Sequence, residues 1–308
     1  MRSEPVYPLF RGSRKTSISA NIDSSIYKHL AKPGATVLLV PEGHTIHRLA
    51  EDLESDLQGG PISAFSPQGR FTDGASLING CLLLRSEAWG KHLFCWWDNG
   101  SILHIHLGLI GKLRKFKIEQ QPSETVRLRL ESNSTAWQLT GPQTCSVINE
   151  EDWEYQISKL GPDPLRLGKR GKKQFSEKIL STSLPLGSAL LKQDLIAGIG
   201  NVYRSEILFI NGIHPEIAGK NLTKTEADKI WDTAVVLLRK GKNWNKIITV
   251  THDDHGGRVT KKTLRENALY AYKRSGFPCR RCETPIIQST MAGRSIWFCP
   301  SCQKGPNA

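Results

Sequence analysis

Long hydrophobic runs are missing from this chain of 308 residues. Its longest apolar stretches, such as Ala35 to Val40 (ATVLLV), fall far short of the roughly 20 residues that a membrane-spanning helix needs. That stretch is also too short and too late for the core of a secretory signal, and no small-residue cleavage site follows it. A cytoplasmic address with no membrane partner is expected. Internal repeats and long low-complexity tracts are lacking too, which argues against solenoids and arrays. Acidic residues are short in one half only. Residues 1–160 hold 17 Lys+Arg against 17 Asp+Glu, and residues 161–308 hold 25 against 12, so the net charge of +13 lies wholly in the second half. A basic half on a neutral half suggests a polyanion-binding module, nucleic acid first, with a generally basic solubility surface as the alternative. Cysteine is sparse, at seven residues, and four of these fall in the last thirty. An odd, clustered set without an export signal argues for metal ligation over disulfides.

What is present falls into blocks. Residues 1–36 keep no sustained period of 2 or 3.6 and are expected to be disordered or marginal. From Gly43 onward Ile46, Leu49, Ala50, Leu53 and Leu57 recur at helical spacing, an amphipathic helix of about four turns. After Gly59-Gly60-Pro61 come short segments broken by Asn-Gly and Asp-Asn-Gly turns, the pattern of a β meander or sandwich. Within it TVRLRLE (Thr125 to Glu131) alternates as a half-exposed strand should. GPDPLRLGKRGKK (Gly161 to Lys173) reads as a linker. Beyond it SALLKQDLIAG, NVYRSEILFINGI and KTEADKIWDTAVVLLRKG carry helical periodicity with glycines near their ends. The expected fold is therefore α+β and multidomain. It has an extension over 1–40, a helix plus β-sandwich over 41–160, a linker over 161–175, a helical domain over 176–271 and a four-cysteine ribbon over 272–305.

Two constellations carry chemistry. Cys279-Arg-Arg-Cys282, sixteen residues, then Cys299-Pro-Ser-Cys302 places two thiolates on each of two tight turns, the spacing of one structural Zn2+ in a tetrahedral site with no open position. A redox role for either pair is disfavoured, since no thioredoxin-like strand and helix flank them. Arg294 lies in the connecting segment, where a hairpin tip would present it to a phosphate or simply to solvent. The second constellation is Gly198-Ile-Gly200-Asn201-Val-Tyr203. Tyr203 stands where a dinucleotide fingerprint needs its third glycine, and the preceding segment reads as helical. The expected arrangement is helix, glycine turn, helix. The second helix offers its N-terminus and Asn201 to a phosphate, or else uses Asn201 as an N-cap in a plain helical hairpin.

Six motifs in order, PEGHTIHRLAEDL, WGKHLF, HLGLIG, LGPDPL, AGIGNVYRSEIL and GRSIWFCPSCQ, make residues 41–303 resemble the formamidopyrimidine-DNA glycosylase and endonuclease VIII family. The resemblance implies an N-terminal helix feeding a β-sandwich, a helix-two-turn-helix domain and a zinc-ribbon hairpin. It implies a monomeric base-excision-repair enzyme acting on double-stranded DNA with a damaged base or abasic site. Such an enzyme extrudes the base, cleaves its glycosidic bond and cuts the strand by β- and δ-elimination through a Schiff base. Carried over residue by residue, the nucleophile is Pro41, the adjoining acid/base Glu42, the β-sandwich lysine Lys91, the turn asparagine Asn201 and the hairpin arginine Arg294. Leu109, followed by Ile110, matches the wedge position; a buried strand-end leucine is the plainer alternative there. The Asp-Pro-Arg-Arg-Phe-Gly loop of the formamidopyrimidine branch is replaced by AWQLTGPQTC (Ala136 to Cys145). This departure leaves any further wedge residues open and, with PEGHTIHRL, leans toward an actinobacterial endonuclease VIII-like branch acting on oxidised pyrimidines.

Other signals are weaker. His44 with His47, and His252-Asp-Asp-His255, lack the ligand sets of metal sites; His104 and His106 suit packing or a polar network. Cys81, Cys95 and Cys145 read as buried free thiols. Catalysis by Pro41 requires a free amine, so residues 1–40 are expected to be a non-native extension, with Val40 as a possible GUG initiator. If the extension stays, Pro41 sits in a tertiary amide and the expected function is non-catalytic binding of damaged DNA.

Overall fold

The computed structural model describes residues 41–251, 254 and 268–305. The expectations for residues 1–40 and for most of the His252–His255 cluster fall outside them. The apolar stripe from Ile46 to Leu57 forms α1 (Gly43–Leu57), which buries Ile46, Ala50, Leu53 and Leu57. It packs on a sandwich of two antiparallel four-stranded sheets. The first runs in the order β1 (Ser63–Phe65), β6 (Val126–Glu131), β7 (Thr135–Thr140), β5 (Lys112–Lys117). The second runs β2 (Leu83–Trp89), β3 (His92–Trp97), β4 (Ile102–His106), β8 (Thr144–Ile148). α2 (Thr72–Ile78) adds Ala75 and Ile78 to the shared core with Leu93, Trp97, Leu103, Leu128, Trp137 and Leu139. β3 is apolar on both faces because α3 (Glu150–Ser158) lays Trp153 and Ile157 over Phe94, Trp96 and Ile102. The alternating strand β6 departs from expectation at Arg129, which is buried. The loop after β5 folds over it and takes its guanidinium hydrogen bonds at the carbonyls of Gln120 (2.7 Å) and Ile118 (2.8 Å).

The expected linker over 161–175 is instead packed and half helical. Gly161 to Pro164 are buried, and α4 (Gly168–Ser181) begins within the stretch. Glycine, proline and lysine there answer to close packing and to an exposed helix face rather than to flexibility. The helix expected over SALLKQDLIAG shrinks to α5 (Leu186–Ala189), followed by turns into α6 (Asn201–Ile210). α7 (Lys224–Trp244) opens on a capping box between Thr223 and Glu226. These helices share one core built on Phe175, Leu190, Tyr203, Phe209, Trp231 and Leu238. The same core reaches Ile296 and Trp297 of the final hairpin, β9 (Ile287–Met291) and β10 (Arg294–Phe298). Among the described residues no helix is long and apolar enough to cross a membrane.

Candidate active site

Pro41 and Lys91 open onto a cleft of about 660 Å³ between the sandwich and the helical half, whose walls also carry His106, Leu109, Gln143, Lys192 and Arg294. Lys91 reaches it from the tight turn joining β2 to β3. Three glycines make that meeting possible. Gly43, Gly90 and Gly198 touch backbone to backbone: a Cβ on Gly43 would lie 2.8 Å from Gly198 Cα, and one on Gly90 would lie 2.9 Å from Gly198 N. Gly43 N donates to Gly198 O at 2.8 Å, which locks the start of α1 to the glycine turn.

Behind Pro41, Glu42 is fully buried. Its carboxylate accepts from Gly200 N (2.8 Å), Val202 N (2.8 Å) and Tyr203 N (3.4 Å). The free amides and positive dipole end of α6 are thus spent on an internal carboxylate rather than on a phosphate, as the sequence had suggested. Burial pushes the Glu42 carboxyl above the ordinary carboxylate range, against the pull of Lys91 and of the three amides. Burial also pulls the Lys91 ammonium below the ordinary lysine value, with Glu42 holding it up and Arg294 pressing it further down. An acid and a base with opposed shifts face one another beside Pro41, the arrangement that proton transfer near neutrality needs.

Asn201 does not cap α6; Gly200 holds that position without a side-chain cap. The Asn201 amide donates to the Ser295 carbonyl of β10 at 3.0 Å, while its oxygen accepts from Arg204. It braces the hairpin and does not line the cleft. Arg294, the first residue of β10, does line it. Leu109 and Ile110 are not strand-end core. They are 61% and 76% exposed in the loop between β4 and β5, next to the cleft. Gly108 N donates to His106 Nδ1 (3.1 Å) at the loop's base. The stretch AWQLTGPQTC runs through β7, the tight turn Gly141-Pro142-Gln143 and the start of β8. Gln143 N donates to His106 O at 2.9 Å, so this turn flanks the exposed pair.

Cys279, Cys282, Cys299 and Cys302 bring their sulfurs within 4.8 Å of one another, with 3.4 Å for Cys282 to Cys299 and 3.8 Å for Cys279 to Cys302. A tetrahedron with metal–sulfur bonds of about 2.3 Å has edges of about 3.8 Å, so the four thiolates are placed to hold a metal ion. The histidines are otherwise employed. His44 stacks edge-on against Tyr203, His47 Nε2 contacts Asp163 at 2.7 Å, and His92 bonds His104 at 2.9 Å.

Asp163 and Arg204 carry functional geometry that motif spacing did not single out. Buried Asp163 accepts from Gly90 N, His47 and Leu165 N, each at 2.7 Å, and so ties the Lys91 turn to α1. The Gly-Pro-Asp-Pro run was the available signal, since aspartate hydrogen-bonds backbone two residues on and proline fixes φ, which together favour a defined turn.

The sequence model of the formamidopyrimidine-DNA glycosylase N-terminal domain matches residues 40–147, and that of the H2TH domain of the same glycosylase matches residues 160–253. The chain is 38% identical over 270 residues to Endonuclease 8 1 of Mycobacterium bovis, covering 86% of this chain and all of that one. It is 29% identical over 234 residues to a formamidopyrimidine-DNA glycosylase of Desulfitobacterium hafniense, covering 74% and 84%. A solved complex between the Lactococcus lactis Fpg and DNA containing an abasic site shares the fold at a TM-score of 0.71 and 24% identity, covering 86% of this chain and all of that one.

Proposed function

Since the chain belongs to the formamidopyrimidine-DNA glycosylase and endonuclease VIII family of DNA glycosylases, we propose that it removes oxidised bases, pyrimidines foremost, and then cuts the strand as an AP lyase. The observation that carries this reading is Pro41 at the cleft with Glu42 buried behind it and Lys91 and Arg294 on the walls. A free Pro41 amine would attack C1′ of the extruded nucleotide. The glycosidic bond breaks and the base leaves with the amine's proton; protonation of O4′ then breaks the C1′–O4′ bond, and the ring-opened iminium draws electrons from the C2′–H bond. Loss of that proton expels the 3′ phosphate, and a second elimination expels the 5′ phosphate. Near pH 7 a terminal amine with a pKa of about 7.7 is roughly 17% neutral, against about 0.04% for an ordinary lysine, so a terminal proline is the better nucleophile.

Glu42 serves as the acid that protonates the opening sugar or the departing base, its carboxyl pushed up by burial. Lys91 and Arg294 hold phosphates on either side of the flipped nucleotide, and Asn201 joins them with the amide N–H that it does not give to Ser295. Leu109 and Ile110 fill the vacated stack, which offsets the few kcal/mol of extrusion. The four-cysteine cluster takes one Zn2+, which holds the hairpin and does no chemistry. The enzyme works as a monomer in the cytoplasm.

Activity requires Pro41 at the N-terminus, because a peptide bond from Val40 removes the lone pair. Borohydride trapping on abasic DNA tests this. A chain beginning at Pro41 is expected to trap, Pro41→Gly to trap less, and a chain retaining residues 1–40 to bind DNA without trapping. Trapping by the longer chain at the same rate would sink the proline assignment. A lesion panel on the trapping-competent form tests the pyrimidine preference.

A further inference from the structure

We propose that Arg204 is a positioning residue of the DNA site: its buried guanidinium pins β10 to the glycine turn and thereby sets where Arg294 stands in the cleft. The inference rests on the reading of Arg294 as a phosphate contact. Arg204 lies on α6 with no exposed surface, and among the described residues it forms no salt bridge. Its fork spans three elements instead. Nη1 donates to the Gly187 carbonyl of α5 at 2.7 Å, and Nη2 donates to the Ser295 carbonyl of β10 at 2.9 Å and to Asn201. Ser295 O also accepts from Asn201 Nδ2 at 3.0 Å, so one carbonyl, next in sequence to Arg294, is gripped twice from α6. Gly187 lets the hairpin close on α5, since a Cβ there would come within 3.0 Å of Ile296 Cδ1.

This arrangement is costly as mere packing. A cation is buried without a carboxylate partner, and Arg204 Nε has no hydrogen-bond partner among the described residues. Apolar contacts through Ile296 already seat the hairpin on the helical core. Such contacts are non-directional and tolerate sliding; two donors on one carbonyl do not. A planar fork reaches both carbonyls at once, which an ammonium on a lysine stem does not. Burial first and the charge of Arg294 second pull the guanidinium down to about 10, against the upward pull of Glu42, so it stays charged at neutral pH.

The test measures binding of a duplex bearing a stable tetrahydrofuran abasic analogue as a function of salt, for the wild type, Arg294→Ala, Arg204→Met, Arg204→Lys and the double variant Arg294→Ala with Arg204→Met. Zinc content and thermal melting are followed in parallel. Loss of one phosphate contact lowers the slope of log K against log salt by about 0.9. Arg294→Ala is expected to lose that increment, Arg204→Met to lose the same increment although Arg204 touches no solvent, and the double variant to lose no more. Arg204→Lys, which keeps the charge but not the fork, is expected to follow Arg204→Met with zinc retained, and it carries the test if the methionine variant does not fold. An unchanged slope in both Arg204 variants, or additive losses in the double variant, overturns the clamp while leaving Arg294 in its role. An unchanged slope in Arg294→Ala itself overturns the phosphate reading, and the clamp with it.

Discussion

Glu42 owes its place to a residue without a side chain. A Cβ on Gly200 would lie 2.5 Å from Glu42 Cδ, in backbone that any residue could otherwise adopt, so glycine is required there by close approach and not by conformation. Gly200→Ala is therefore expected to displace the carboxyl from its three amides. General acid–base catalysis contributes typically 10²–10⁴-fold, so excision should fall by roughly 10²-fold or more with DNA binding largely kept. Single-turnover excision set beside abasic-site binding checks this, and equal losses in both would contradict it. The sequence marked these glycines as significant, but it assigned their amides to a phosphate. The acceptor they serve is 158 residues away in the chain, and no local pattern reports it.

At the scale of elements, the loop between β4 and β5 is unusual in what it leaves uncovered. Two adjacent branched apolar side chains stand in water beside the cleft, where they contribute nothing to the core. Replacing both Leu109 and Ile110 by alanine should change stability by no more than about 0.5 kcal/mol, the range of ordinary surface substitutions. It should slow excision from a fully paired duplex by tenfold or more, and much less from a single strand, where no stack has to be refilled. Equal slowing on both substrates would assign the pair another role. The terminal hairpin rests on a different device. β10 buries Ile296, Trp297 and Phe298 but β9 stays largely exposed, and a metal held by the four cysteines would fix the end of the hairpin that burial leaves unsecured. Stripping zinc with a chelator at low pH, or Cys299→Ser, is expected to melt the hairpin and abolish DNA binding while the sandwich keeps its far-ultraviolet signal.

For the molecule as a whole, acid is the predicted weakness. Burial holds His44 at about 3, His92 at about 3 and His104 at about 4, with neighbouring histidines adding to each depression. Above pH 6.5 these groups are neutral whether folded or unfolded. As pH falls below 6.5 the unfolded chain binds protons that the folded one refuses, so stability is lost progressively down to about pH 3–4. Each such histidine adds about 1.4 kcal/mol per pH unit to that slope within its window. Urea midpoints across pH 7 to 4.5 should drop steadily, and His44→Gln should flatten the fall by about one proton's worth. A flat profile would mean that the histidine pockets admit water.

The helix from Gly43, the β-rich stretch, the helical half and the four-cysteine ribbon were all legible because each is written in local period or spacing: 3.6 residues for α1, Cys-x-x-Cys for the metal site. The linker reading of 161–175 failed for the complementary reason. Glycine and proline look alike in a sequence whether they permit motion or close packing, and only the buried contacts of Gly161 and Asp163 separate the two. By itself the sequence determined most of the element types and the family, and it singled out Pro41, Glu42, Lys91, Arg294 and the four cysteines as candidates. Tertiary structure alone decided that α6 points its amides at Glu42, that Asn201 and Arg204 grip Ser295, and that Leu109 and Ile110 face water. Those arrangements join residues tens to more than a hundred positions apart, and burial and hydrogen-bond partnership at such separations are properties of the folded chain, not of any segment of it.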